Sequence, residues 1–400
     1  MFANLCPCVQ KLSLTWLMAV LLCTSVALAQ TASQPAPIWQ MQDSGTTAGL
    51  RGIDSVDGRV AWASGTGGTV LRTVDGGAHW SKCAVPDGDK DGATLDFRGV
   101  QAWDATTAIV MASGPGEKSR LYKTTDGCGS WKLVFRNPDK DGFWDAIEIT
   151  GAKTALMIGD PLPKTQLDRF KVKQLFHFPL YGTIDAGEKW LRLDTNNLFA
   201  RRDEKGKSSE SIFAASNSSL LELRNHRLIL FAKGGSTAGL GLLESIGRPD
   251  PLLCTSPCSV SGVSKVPLKF GPTAGVFSVS ARNPDSEDPI LVAVGGDYAN
   301  PEDREGTSAT CWRDTDLPVV FTFFCEASTK PPHGYRSTVQ WSETEKAWFT
   351  AGTNGSDISR DDGRTWHPLD NGNWNALSLP FIVGTNGRIG KLNPSVLPRN

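Results

Sequence analysis

Four times along the 400-residue chain a hydroxyl, an aspartate and a tryptophan recur at fixed offsets. They are Thr73, Asp75 and Trp80 in TVDGGAHW, Thr124, Asp126 and Trp131 in TTDGCGSW, Thr183, Asp185 and Trp190 in TIDAGEKW, and Ser359, Asp361 and Trp366 in SRDDGRTW. An aspartate beside a hydroxyl could serve as a general acid or base. Turn chemistry explains the same residue types more simply. Each copy lies between two short β-like runs, where the aspartate can accept backbone N–H bonds, a glycine can take positive φ, and the tryptophan can pack back onto the sheet. These aspartates are therefore expected to close hairpins.

A second set has the chemistry to grip an anion. Arg51, Arg98 and Arg336 each stand second in the runs LRGIDSV, FRGVQAW and YRSTVQW, and Trp144, Asp145 and Asn375 stand at the starts of comparable runs. Guanidinium groups around a concave mouth can bind a carboxylate or a sugar acid bidentately. The segments expected to face them are SGPGEKSR from Ser113, GDPLPK with Asp160, KGGS with Lys233 and Ser236, and GGDYANPED with Asp297 and Tyr298. Charges of these types also knit neighbouring elements together as ion pairs, the reading that residue type alone favours.

The elements that must position these residues follow from the repeat. The four aspartates are separated by 51, 59 and 176 residues, so two worn copies are expected in the last gap. A unit of this length holding four short strands is a propeller blade. Inner strands are expected to start near residues 50, 97, 143, 212, 276, 335 and 374, followed by second strands such as RVAWASG, TAIVMASG and KAWFTAGT. The expected fold is all-β: a propeller of seven four-stranded blades, or six if the poorly kept fourth repeat is an insertion. The leftover strand PIWQMQ should complete the last blade, so that the N- and C-terminal strands close the ring and leave no open edge.

Composition excludes several partners. Lys+Arg 41 against Asp+Glu 42 gives a net charge of −1, which offers no long-range attraction to nucleic acid or an anionic membrane. Lys11, the apolar run Leu12–Leu28 and the small residues Ala27 and Ala29 read as a signal peptide over 1–29, with no stable membrane span in the mature chain from Gln30 onward. A lipoprotein cysteine at Cys23 is the alternative processing. Export, to the periplasm or the extracellular space, leaves Cys83, Cys128, Cys254, Cys258, Cys311 and Cys325 as disulfide candidates. Cys254 with Cys258, Cys311 with Cys325 and Cys83 with Cys128 are plausible pairs, within 15 conceivable connectivities. No cysteine pair has a histidine at ligand spacing, no CxxCH is present, no dinucleotide fingerprint opens a helix and no GxSxG marks a strand-to-helix turn. No metal and no cofactor are expected, and the chain is expected to be a monomer. The charged stretch 196–211 reads as a solvated loop between blades.

The aspartate-box hairpins resemble those of sialidases, BNR-repeat glycosidases and sortilin-type propellers. The fuller segments AWASGTGGTVLRTVDGGAHW, ASGPGEKSRLYKTTDGCGSW and VGGDYANP resemble secreted propellers related to the photosystem II stability/assembly-factor family, over about Trp39 to Leu392. Cys128 departs from the glycine of the box, and CWRDTDLP has lost the glycine and tryptophan of a fifth one. The resemblance implies a binding or assembly scaffold for a protein partner or glycan, with its site at the channel mouth. The sialidase likeness implies a second reading, a glycoside hydrolase. There Arg51, Arg98 and Arg336 would clamp a carboxylate, Tyr298 would be the nucleophile, and Asp160 or Asp297 the general acid. No RIP-like segment precedes the first box and no glutamate has an evident place beside the tyrosine.

Overall fold

The computed structural model describes residues 36–86, 91–168, 171–193, 198–226, 228–244, 259–313 and 322–398. The leader, both cysteines of CTSPC and most of CWRDTDLP lie outside them. Strands fall in antiparallel groups of four, each in the order of the chain from the inside outward. Blade 1 spans Leu50–Lys82, blade 2 Phe97–Arg136, blade 3 Trp144–Arg192, blade 4 Leu220–Lys265, blade 5 Gly271–Ala327 and blade 6 Thr338–Asp370. Blade 7 takes Trp374–Ser378, Phe381–Gly384 and Ile389–Leu392, and its outermost strand is Trp39–Gln42, paired Trp39 with Leu392 and Gln42 with Ile389. The ring thus closes by the joining of its two ends.

Second strands explain why the ring holds. AWASG, AIVMA, ALMIG and AWFTAG are buried along their whole length, since each is sandwiched between two neighbouring blades and has no solvent face. The hydrophobic core is accordingly divided among the seams. Trp62 and Val70 meet Phe97 and Val110 between blades 1 and 2, Ile109 and Met111 meet Trp144 and Ile147 between 2 and 3, and Phe381 and Val383 meet Leu50 and Ala61 across the closing seam.

Each aspartate box fastens one such seam. In all four, the Thr or Ser hydroxyl bonds the aspartate and accepts the N–H four residues on, while the aspartate accepts the N–H four residues beyond itself. Each box takes two successive residues to positive φ; the second is Gly77, Gly187 or Gly363 in three boxes and Cys128, at φ 73°, in the other. The tryptophans then reach the preceding blade: Trp80 donates to Gln42 of blade 7, Trp131 lies edge-on to Trp62, Trp190 stacks on Phe135, and Trp366 donates to Ser308. Two disulfides, Cys83–Cys128 and Cys311–Cys325, join the pairs read from the sequence. The first ties blade 1 to the box of blade 2.

Three expectations need correction. The inner strand of blade 4 does not start at Ile212: it is split into Glu210–Ser211 and Leu220–Leu223, and IFAASNS forms the interruption between them. GDPLPK is not a short loop, because Leu162–Asp168 and Lys171–His177 form a hairpin inserted in blade 3. Within the stretch 196–211, described from residue 198 onward, Phe199–Ala200 is paired to that hairpin and Arg202 is bridged to Ser208.

Opposed carboxyl groups set the pH range of stability. Ser130 and the backbone N–H beside it hold Asp126 down at about 2, and the His79 N–H and ring hold Asp75 lower still. These groups favour the folded state above about pH 4, the ordinary range of a free carboxyl, and that contribution disappears as pH falls toward 2. Burial does the reverse to two inner-strand acids in the channel. It raises Asp54 to about 6, and raises Glu148 to about 8 with the added charges of Asp54 and Glu222. Their contribution is present below about pH 4 and is lost as pH climbs through 6 to 8. The urea midpoint of unfolding is therefore expected to peak at about pH 4–5 and to fall on both sides; a midpoint flat from pH 4 to 8 would contradict the channel carboxyls' role.

Candidate functional site

A cavity of about 450 Å³ opens at the face where the inner strands begin. Its chemistry comes from one recurring irregularity. The inner strands of blades 1, 2, 3, 5 and 7 skip one residue in their register with the second strand, and the skipped residues are Arg51, Arg98, Asp145, Phe277 and Asn375. Such a bulge turns its side chain out of the sheet's alternation, here toward the channel mouth. Arg51, Arg98, Phe277 and Asn375 line the cavity, together with Phe213, Ala214, Tyr298, Tyr335, Ser337 and Thr353.

Arg336 does not join them. A side chain added to Gly352 would strike Tyr335 O and the Arg336 Cα, just as one on Gly65 would strike Gly49 O and the Leu50 Cα, and one on Gly384 Asn373 O and the Trp374 Cα. Arg336 is thus the counterpart of Leu50, one place before the bulge, and Ser337 is the counterpart of Arg51. The side chain turns into its own blade and is fully buried. There Nε donates to Asp357 at 2.7 Å, and further bonds reach Asn354 and Tyr335 O, with the His333 ring alongside. His333 and Arg336 together keep the Asp357 carboxyl low despite its burial. Trp144 is likewise a core residue at Leu50's position, stacked on Phe135 at 5.3 Å.

Arg51 and Arg98 share one carboxylate. Arg98 Nε donates to Asp96 Oδ2 at 2.9 Å, and Arg51 Nε lies 3.1 Å from Oδ1, off the hydrogen-bond direction. Both keep about a third of their side chains exposed, at 34% and 30%. Two guanidinium groups against one carboxylate leave a positive rim beside an apolar wall. That wall is aromatic: Phe213 stacks on Phe277 at 4.1 Å, and Tyr298, half exposed, stands edge-on to both.

The floor is the interruption in blade 4. Residues 212–219 cross the channel and are bonded to four other blades. Ala214 O accepts from Arg98 of blade 2, Asn217 pairs with both the N–H and C=O of Ile147 of blade 3, Ser218 bonds Ser278 of blade 5, and Ser216 bonds Ser337 O beside blade 6. Gly99 makes the crossing possible, since any Cβ there would meet the Asn217 side chain at 2.8 Å. Below the floor lie two carboxyls. Asp160 accepts the Ile212 N–H and is raised to about 6 by burial; Asp145 faces the Ala214 N–H and is raised well above the usual range by burial and by Asp160. Both support the floor, and neither belongs to the cavity wall of Arg51, Arg98 and aromatic rings.

The remaining candidates are tied down. Asp297 accepts the Ala299 N–H and the Asn300 side chain, and Lys233 is buried on Glu210 at 2.8 Å. Among the described residues no group of three or more His, Cys, Asp and Glu side chains could hold a metal, and no helix is long and apolar enough to cross a membrane. Phe213, Phe277, Ser337 and Thr353 escaped the sequence reading, although Phe277 stands second in VFSVSAR, the same place as Arg51 in LRGIDSV.

A closed ring of seven four-stranded blades, with loops and bulges gathered at one mouth, defines a seven-bladed β-propeller. No family model matches the chain. By sequence it is related to the photosystem II assembly lipoprotein Ycf48 of Synechococcus sp. (strain CC9902), at 24% identity over 200 residues; the match spans 48% of this chain and 50% of that protein. Two solved propellers share the fold. One is described as YCF48 bound to D1 peptide (TM-score 0.53, 16% identity, 91% of this chain and 99% of that one), the other as YCF48 from Cyanidioschyzon merolae (TM-score 0.55, 17% identity, 90% and 99%).

Proposed function

We propose that this chain is an exported, non-enzymatic propeller that binds a segment of a protein partner at the channel mouth, in the manner of an assembly factor. The observation that carries this reading is the mouth itself: Arg51 and Arg98 share a single carboxylate, Asp96, beside an aromatic wall in which half-exposed Tyr298 stands against Phe213 and the buried Phe277. Such a surface takes an acidic side chain on the guanidinium groups and apolar atoms on the rings. The relation to an assembly lipoprotein, and a fold shared with a propeller described with a bound peptide, support a protein segment as ligand and the N-terminal stretch as an export signal. Two features speak against the glycosidase alternative. Asp160 and Asp297, its candidate acids, are both held by backbone N–H groups, and Tyr298 stands among phenylalanines.

The test is an array of dodecapeptides in which each Asp or Glu has an Asn or Gln counterpart, spotted beside acidic oligosaccharides and probed with the full chain. Binding to acidic peptides is expected, with at least about a 30-fold loss in Arg51→Ala/Arg98→Ala, since removing a desolvated charge partner costs about 2 kcal/mol or more. Binding indifferent to the amide substitution would overturn the reading. Signal only on the oligosaccharides would replace the protein segment by a glycan, and turnover of fluorogenic glycosides would put the glycosidase first.

A further inference from the structure

A second cleft, of about 410 Å³, lies on the same face at blade 5, lined by Pro267, Leu268, Lys269, Phe270, Glu305, Gly306 and Ala327. It belongs to the mouth's own framework. Its inner wall is the segment entering the inner strand of blade 5, and its outer wall is the loop that leaves the second strand at Asp297 and carries Tyr298. Lys269 N–H donates to Gly306 O at 2.9 Å and Tyr298 N–H to Thr273 O at 3.2 Å, while Lys269 and Asp303 pair as ions. One loop therefore forms the aromatic wall of the first cavity and the rim of the second.

Phe270 is 62% exposed, second only to Leu191 among the large hydrophobic side chains of the described residues. An apolar ring left in water beside a cleft marks a contact surface. Phe270 precedes Thr273, Tyr298's partner, by three positions of extended chain, or about 10 Å at roughly 3.3 Å per residue. Three residues of an extended ligand cover the same distance.

We infer that the Phe270 cleft is a second subsite of the channel mouth, taking a bulky apolar side chain from the same extended protein segment whose acidic residue sits on Arg51 and Arg98. The inference rests on the reading of the mouth given above and adds to it a spacing. The apolar residue falls at least about three positions from the acidic one, because the ligand must clear Tyr298 before it can enter the second cleft. The rim, with one cation, Lys269, against two carboxylates, Asp303 and Glu305, is net negative and disfavours a second anion, so the acidic residue is held at the arginines and the cleft takes the apolar side chain.

A random dodecapeptide library displayed on phage and panned over the full chain tests this. Enrichment is expected for an acidic residue together with Leu, Ile, Met or Phe at a fixed offset of about three or more. Panned over Phe270→Ala, whose exposed side chain supports no packing core, the acidic position should persist and the apolar one become random. A synthetic consensus peptide should bind that variant about tenfold more weakly, as loss of a buried apolar contact requires. Acidic enrichment without a spaced apolar position, or an apolar position kept in Phe270→Ala, would overturn the second subsite alone. Acidic enrichment that survives Arg51→Ala/Arg98→Ala, or no enrichment at all over the unaltered chain, would instead overturn the reading of the mouth.

Discussion

Arg336→Ala should destabilise the folded chain by about 3–5 kcal/mol, the range for breaking a buried ion pair by removing one partner. Its guanidinium is fully buried, and Asp357, fully buried as well, would be left with the His333 ring as its remaining ion-pair neighbour among the pairs described. Asn354 and the Tyr335 carbonyl would also lose their donor. Arg98→Ala removes a side chain of the same type that is 30% exposed and shares its carboxylate with Arg51, so its effect on stability should stay within about 1 kcal/mol while binding weakens. Urea unfolding of the two variants separates the roles. A loss below about 1 kcal/mol for Arg336→Ala would mean that Asp357 is satisfied by His333 alone, and that Arg336 is not the lock of its blade.

Trp39→Ala carries the second large effect, expected at about 3–5 kcal/mol, as for other fully buried aromatic side chains. Trp39 lies near the start of the described residues and sits in the seam between blades 6 and 7. Phe349 lies 6.5 Å from its ring, Trp374 6.3 Å, and its Nε1–H donates to Ser356 Oγ at 2.9 Å. It thus holds both the fourth strand of blade 7 and the closure of the ring. Met41 occupies the same strand but is 54% exposed, so Met41→Ala should change stability by no more than about 0.5 kcal/mol. Equal effects from the two substitutions would show that the closing strand is held by its backbone pairing and not by the seam.

Much of this architecture is readable from local pattern. The boxes announce themselves because one turn needs the same hydroxyl, carboxylate and left-handed residue each time, and the second strands because burial on both faces makes them continuous apolar runs. PIWQMQ could be assigned to closure because a strand without a blade needs an edge. The site was harder for a reason of register. FRGVQAW and YRSTVQW look alike, yet the bulge falls on Arg98 in one and on Ser337 in the other, and a shift of one residue exchanges cavity for core. The floor was illegible because IFAASNS opens on an apolar pair where the repeat spacing calls for an inner strand; only contacts with blades 2, 3, 5 and 6, remote in sequence, draw it across the channel. Phe277 shows what could have been seen, since the bulge column holds an aromatic in blade 5 where blades 1 and 2 hold arginine.

Hydrogen–deuterium exchange of the full chain, alone and saturated with the tightest-binding acidic peptide of the array, tests the central claim most directly. Binding at the mouth predicts new protection at the inner-strand starts 50–52 and 97–99, the floor 212–216 and the loop from Asp297, with the box turns at Asp75, Asp126, Asp185 and Asp361 unchanged. Protection confined to those turns on the opposite face, or none at any mouth segment under saturation, would contradict it.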